Sequence, residues 1–204
     1  MSEKNISSDA ITAVILTGGR GERMGGIDKG LVQFAGKPLI GHVLKSIQPQ
    51  VDHIVISANR HLDQYETYGF PVVQDELSDY QGPLAGLLGA MRIVNTEYVL
   101  TVPCDAPCLP DNLVARLIEG INKEGITLSV VHDGQRMQNT CALIDCKLVP
   151  SLEDYLESGE RKFECWIKNQ SYTLVDFSDE REAFININLP GELETLEARA
   201  DSIE

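Results

Sequence analysis

The chain has 204 residues, 43% apolar and 24% charged, and its 31 acidic and 17 basic side chains give a formal net charge of −14. This composition is globular, which excludes disorder, collagen-like repeats and low-complexity polymers, and the length suits one domain around one core. So acidic a chain would repel a nucleic-acid backbone, and no apolar run approaches the roughly 20 residues of a bilayer span, so neither a nucleic acid nor a membrane is an expected partner.

Residues 1–10 are polar without an apolar centre, which reads as a loose tail rather than a secretory signal, and residues 11–204 read as a single domain. Strands are expected at 12–17, 53–58, 70–74, 98–102 and 126–131, and helices at 38–47, 83–94, 110–121, 147–157 and 190–200. Leu113, Leu117, Ile118 and Ile121 recur at helical spacing as a core stripe. Strands alternating with helices give an α/β fold, a mostly parallel sheet covered on both faces. Asp133-Gly134 marks a hairpin, so one antiparallel element should join the sheet late in the chain. Five cysteines without a C-x-x-C pair argue against a disulfide framework or a zinc ribbon and suggest reduced thiols in a cytoplasmic protein.

The segment after the first strand holds six glycines between Leu16 and Gly30. Such a segment lets backbone N–H groups approach an anion, and it leaves a strand end, where α/β sheets bind ligands. Residues 20–37 carry Arg20, Arg23, Lys29 and Lys37 against Glu22 and Asp28, a local +2 in an acidic chain. A polyphosphate is the expected ligand. The spacing fits neither a Walker loop, since Ile27 and Leu31 stand where lysine belongs, nor G-x-G-x-x-G, since Met24 replaces the last glycine. Lys29 and Arg23 read as clamps on the phosphates. Asp105, just beyond a strand, is the expected Mg²⁺ ligand.

The run L-x-G-G-x-x-x-R-M-G-x-x-D-K from Leu16 to Lys29 resembles the opening signature of the molybdenum cofactor guanylyltransferases. G-K-P-L at 36–39, A-N-R-H at 58–61, D-x-x-x-D-Y-x-G-P-L-A-G at 75–86, P-C-D at 103–105, G-E-R at 159–161, D-F-S-D at 176–179 and N-x-N-x-P at 186–190 follow in that family's order. The resemblance implies a three-layer Rossmann-like nucleotidyltransferase fold. It also implies a cytoplasmic, Mg²⁺-dependent enzyme that joins GMP from GTP to the phosphate of molybdopterin, releases pyrophosphate, and hands its product to delivery proteins of molybdoenzymes. Leu16, Thr17, Gly18, Gly19, Lys29, Asn59, Asp75, Gly82 and Asp105 would contact GTP, with Asp75 and Asn59 toward the base. Arg161, Asn186 and Asn188 supply the cation and amides that an anionic pterin needs. The sequence departs from the family at Thr17, where alanine is usual, at Ser57, and at Gln138-Asn139-Thr140, which replaces a histidine-proline-threonine segment.

Two alternatives are a cytidylyltransferase of the same superfamily and a non-catalytic adaptor that carries nucleotide or finished cofactor. Transfer itself needs no protein nucleophile, because a phosphate monoester is ionised near neutral pH. Positioning and charge neutralisation remain for the protein.

Overall fold

The computed structural model describes residues 6–17, 28–75, 82–123 and 125–187. Strand β1 (Ile11–Leu16) is buried along its whole length. Its side chains alternate between two cores, with Ile11, Ala13 and Ile15 on one face and Val14 and Leu16 on the other. A short hairpin, β2 (Gln33–Phe34) and β3 (Lys37–Pro38), stands apart from the main sheet. It is followed by helix α1 (Leu39–Ile47) and strand β4 (His53–Ser57). Next come α2 (Leu62–Glu66), β5 (Val72–Val73), α3 (Pro83–Ile93) and β6 (Tyr98–Pro103). The later half holds α4 (Leu113–Ile121), β7 (Leu128–His132), β8 (Met137–Asp145), α5 (Val149–Glu157), α6 (Phe163–Lys168) and β9 (Tyr172–Asp176).

The main sheet has seven strands in the order β5-β4-β1-β6-β8-β7-β9. Only β8 runs antiparallel to its neighbours, β6 and β7, which bears out the late antiparallel element in an otherwise parallel α/β sheet. Helices α1 and α4 cover one face through Ile40, Val43, Leu113 and Leu117. Helices α3, α5 and α6 cover the other through Leu84, Leu87, Leu152 and Trp166. Three layers result.

The β7–β8 hairpin turns at Asp133 and Gly134 as the sequence suggests. Asp133 Oδ1 accepts from the N–H groups of Gln135 and Arg136 at 2.8 Å each, and Gly134 takes φ +88°. Helix α4 starts at Leu113, three residues later than proline at 110 suggests. Its first turn is capped from elsewhere: the Gln50 amide accepts from Val114 N–H at 3.0 Å and donates to the Pro110 carbonyl at 2.9 Å. The helix expected over 147–157 opens as a 3₁₀ turn, Cys146–Leu148. The strand expected over 70–74 shortens to Val72–Val73. Within the stretch read as a loose tail, Ser8–Ala10 form a 3₁₀ turn and the Ser8 hydroxyl donates to Asp52 at 2.8 Å. All five cysteines are free thiols. The helix expected over 190–200 lies outside the described residues, and among those described no helix is long and apolar enough to cross a membrane.

Candidate active site

The carboxyl ends of β1, β4 and β6 meet at one edge of the sheet, where an α/β fold places its ligand. Leu16 ends β1, and its carbonyl accepts from Cys104 N–H at 3.1 Å. Thr17 is tied to β4 twice, its N–H at 3.0 Å and its hydroxyl at 2.8 Å from the Ser57 carbonyl. Asp105 stands two residues beyond β6, 8% exposed. Lys29 opens a 3₁₀ turn, Lys29–Leu31, and its Nζ lies 3.2 Å from Asp105 Oδ2. Burial pushes the Asp105 carboxyl above its ordinary range, and the Lys29 ammonium pulls it back. Two expected site residues far apart in sequence therefore share one point in space.

The second cluster lies at the ends of β4 and β5. Asn59 Nδ2 donates to Asp75 Oδ2 at 2.7 Å, and Asp75 N–H donates to Asn59 Oδ1 at 2.9 Å. Burial raises the Asp75 carboxyl, and the Asn59 amide opposes it. Helix α3 runs closely over the pair: a methyl group on Gly86 would stand 2.3 Å from Ser57 Oγ and 3.1 Å from Asp75 Oδ1. Gly82, at φ +87°, supplies the entry to that helix ahead of Pro83. Gly18, Gly19, Arg20 and Arg23 lie outside the described residues, as does Asn188.

Asn186 falls in the segment after the Ser178–Phe184 turn. Its neighbour Ile187 donates its N–H to the Asp105 carbonyl at 2.9 Å and buries its side chain with Phe34 and Leu39. Asn186 lines a cavity of about 530 Å³ with Arg136, Met137, Gln138, Asn139, Thr140 and Glu164. Gln138 is held by Asp133 Oδ2 at 2.6 Å, and Asn139 Oδ1 is buried with no partner among the described residues. Arg161 does not line this cavity: one of its terminal nitrogens donates to the Leu156 carbonyl at 2.7 Å and the Glu160 carbonyl at 2.6 Å, at the end of α5. A second cavity, about 460 Å³, sits at the amino ends of β1 and β4 among Thr12, His53, Pro71 and Ile93, the wrong end of the sheet for phosphate chemistry.

Sequence reasoning missed two features here. Arg136 reaches the cavity from the β7–β8 turn, and Asn139, in a segment the sequence had already set apart from the family, lies in a bulge where the register shifts between Val130 and Val131, which periodicity does not reveal. Tyr65, buried in α2, donates to Asp28 at 2.5 Å, directly beside Lys29. An isolated tyrosine in a five-residue helix carries no sequence signal for that contact.

The family model of the MobA-like NTP transferase domain matches residues 13–173. The chain belongs to the MobA-like NTP transferases. A molybdenum cofactor guanylyltransferase of Shewanella woodyi is 45% identical over 186 residues, 91% of this chain and 95% of the relative. Its counterpart in Shewanella halifaxensis is 43% identical, again over 91% of this chain and 93% of the relative. Among solved structures, molybdopterin-guanine dinucleotide biosynthesis protein A of Archaeoglobus fulgidus superposes with a TM-score of 0.76 at 22% identity, over 94% of this chain and 99% of that one. A nucleotidyl transferase of Methanothermobacter thermautotrophicus gives 0.74 at 20% identity, over 95% and 99%. These two likenesses concern the fold alone.

Proposed function

We propose that the chain is a molybdenum cofactor guanylyltransferase, transferring GMP from GTP to the terminal phosphate of molybdopterin with release of pyrophosphate. The pairing of Lys29 with Asp105 at the carboxyl edge of the sheet carries this reading, and relatives near 44% identity over nine-tenths of the chain support it.

In this reading the Lys29 ammonium neutralises phosphate charge as the α-phosphorus is attacked in line. Asp105 suits Mg²⁺, because such sites combine one or two carboxylates with substrate phosphates rather than a full protein cage. When bound there, the metal would supply charge neutralisation across the triphosphate. The Asp105 carboxylate, whose ionised form the Lys29 ammonium favours against the cost of burial, would hold it. The pair Asn59–Asp75 would read the base, since a carboxylate can accept from guanine N1–H and N2–H₂ together. Leu16 and Thr17 line the approach to the phosphates, with Gly18, Gly19 and Arg23 continuing it by sequence.

The second substrate is assigned to the cavity at Asn186, where Gln138 and Asn139 offer amides and Arg136 a cation. Asn188 belongs with Asn186 by sequence spacing. Delivery proteins and a cytoplasmic setting complete the proposal.

The test incubates purified protein with molybdopterin, Mg²⁺ and each triphosphate in turn, with mass identification of the product. A guanine dinucleotide is expected. A cytosine dinucleotide would make the chain a cytidylyltransferase, and triphosphate binding without any product would make it an adaptor.

A further inference from the structure

Tyr65 is fully buried, yet its hydroxyl faces the site rather than the core, donating to Asp28 Oδ1 at 2.5 Å. Asp28 is 8% exposed and immediately precedes Lys29. The Tyr65 hydroxyl spends its one proton on Asp28, as the Thr17 hydroxyl spends its own on the Ser57 carbonyl. Gly30 completes the arrangement. A methyl group there would stand 2.5 Å from Tyr65 Oη and 3.4 Å from the ring, so the backbone leaving Lys29 runs directly against the phenol.

The ring alone would fill the core as phenylalanine does. What the hydroxyl adds is a fixed donor, kept protonated because burial drives its titration far up, to the carboxylate that precedes Lys29. Lysine carries its charge on a flexible four-carbon stem, so holding Nζ 3.2 Å from Asp105 demands a fixed backbone beneath it.

We propose that Tyr65 is a positioning residue for nucleotidyl transfer: its hydroxyl holds Asp28 and thereby sets where the adjoining Lys29 stands relative to Asp105. The inference rests on the proposed function for what Lys29 acts upon, and not on which base the nucleotide carries.

The experiment compares wild type, Tyr65→Phe, Lys29→Ala and the double variant in single-turnover transfer and in triphosphate binding. Tyr65→Phe should lower the transfer rate about tenfold while keeping its far-ultraviolet dichroism and its cooperative unfolding. In the Lys29→Ala background the same change should cost less than twofold, because the side chain it positions is already gone. A purely structural role would give losses that multiply. Multiplying losses, or a Tyr65→Phe variant at wild-type rate, overturn the assignment. Should Tyr65→Phe fail to fold, Asp28→Ala leaves the ring in place and must show the same non-additivity with Lys29→Ala. The comparison uses whichever triphosphate the wild type turns over, so transfer from CTP would overturn the guanylyltransferase reading and leave this test intact. If the wild type binds triphosphate without transfer, the affinities of the four proteins must show the same coupling.

Discussion

Lys29 Nζ lies 3.2 Å from Asp105 Oδ2, joining the end of a glycine-rich segment to the end of a central strand 76 residues away. In the proposed reaction the ammonium would meet phosphate oxygens and the carboxylate a cation. Removing the ammonium by Lys29→Ala should reduce kcat/KM for GTP at least tenfold, about 1.4 kcal/mol, without unfolding the protein. Titration with GTP and initial-rate kinetics check this, and unchanged constants would take Lys29 out of the site.

Asp105→Asn keeps the volume and loses the charge. The variant should retain its fold, because Ile187 bonds the backbone carbonyl of residue 105 and not its carboxylate. Mg²⁺-supported transfer should fall by two orders of magnitude or more. A Mg²⁺ titration of transfer rate in both proteins is the check, and transfer at the wild-type rate would leave Asp105 a structural residue.

The parallel half of the sheet is legible in the sequence because β1, β4 and β6 are apolar runs buried on both faces, and because Pro38 and Pro83 mark where helices begin. β8 is harder to see. Met137 and Gln138 pair with His132 and Val131, but Asn139 to Cys141 fall out of the ladder at the bulge before Ala142 resumes it, which breaks the alternation of a half-buried strand. Helices α2 and α6, of five and six residues, are too short to show a period. In the site, Lys29, Asp105, Asn59 and Asp75 could be named from motif order. Their pairing is a tertiary fact, and so is the contact of Tyr65 with Asp28, which depends on α2 packing beneath β1.

Gly86 offers a test of the Asn59–Asp75 pair. Alanine in place of helical glycine ordinarily stabilises by up to about 1 kcal/mol, yet here its methyl would meet Ser57 Oγ at 2.3 Å and Asp75 Oδ1 at 3.1 Å. The sign should reverse, with Gly86→Ala less stable by about 1–3 kcal/mol and weaker in GTP binding. Ser57→Ala removes the closer of the two atoms and should recover most of the lost stability. Denaturant unfolding of the single and double variants measures both effects, and a Gly86→Ala variant more stable than wild type would contradict the close approach.

Asp133 links stability to pH. Burial alone would raise its carboxyl, but the N–H groups of Arg136 and Gln135 and the Gln138 amide outweigh that and hold it below the ordinary 3.8. A depressed carboxyl stabilises the fold above its unfolded value, and the contribution is lost as pH falls through the lower folded value. Asp133→Ala should therefore cost about 2 kcal/mol near neutrality. The gap to wild type should narrow as pH falls below 3.8. Urea unfolding at several pH values follows it, and a gap independent of pH would mean that the turn does not depend on the ionised carboxylate.

The same carboxylate reaches the cavity proposed for the second substrate through Gln138, whose amide it holds at 2.6 Å. Beside it, Asn139 carries a buried oxygen without a partner among the described residues, an arrangement that normally costs about 1–3 kcal/mol unless something donates to it. Arg136 and Asn186 stand at the same cavity for a phosphate and a further hydrogen bond. Asn139→Ala and Asn186→Ala should each weaken molybdopterin binding five- to tenfold and leave GTP affinity within twofold. Arg161→Ala should behave differently, because its guanidinium caps the carbonyls of Leu156 and Glu160 and so supports α5. That variant should lose stability and keep its molybdopterin affinity. Parallel titrations with the two substrates separate these outcomes: an Arg161→Ala variant that is stable but fails to bind molybdopterin would move the pterin toward α5, and equal losses for both substrates in the asparagine variants would remove the cavity from consideration.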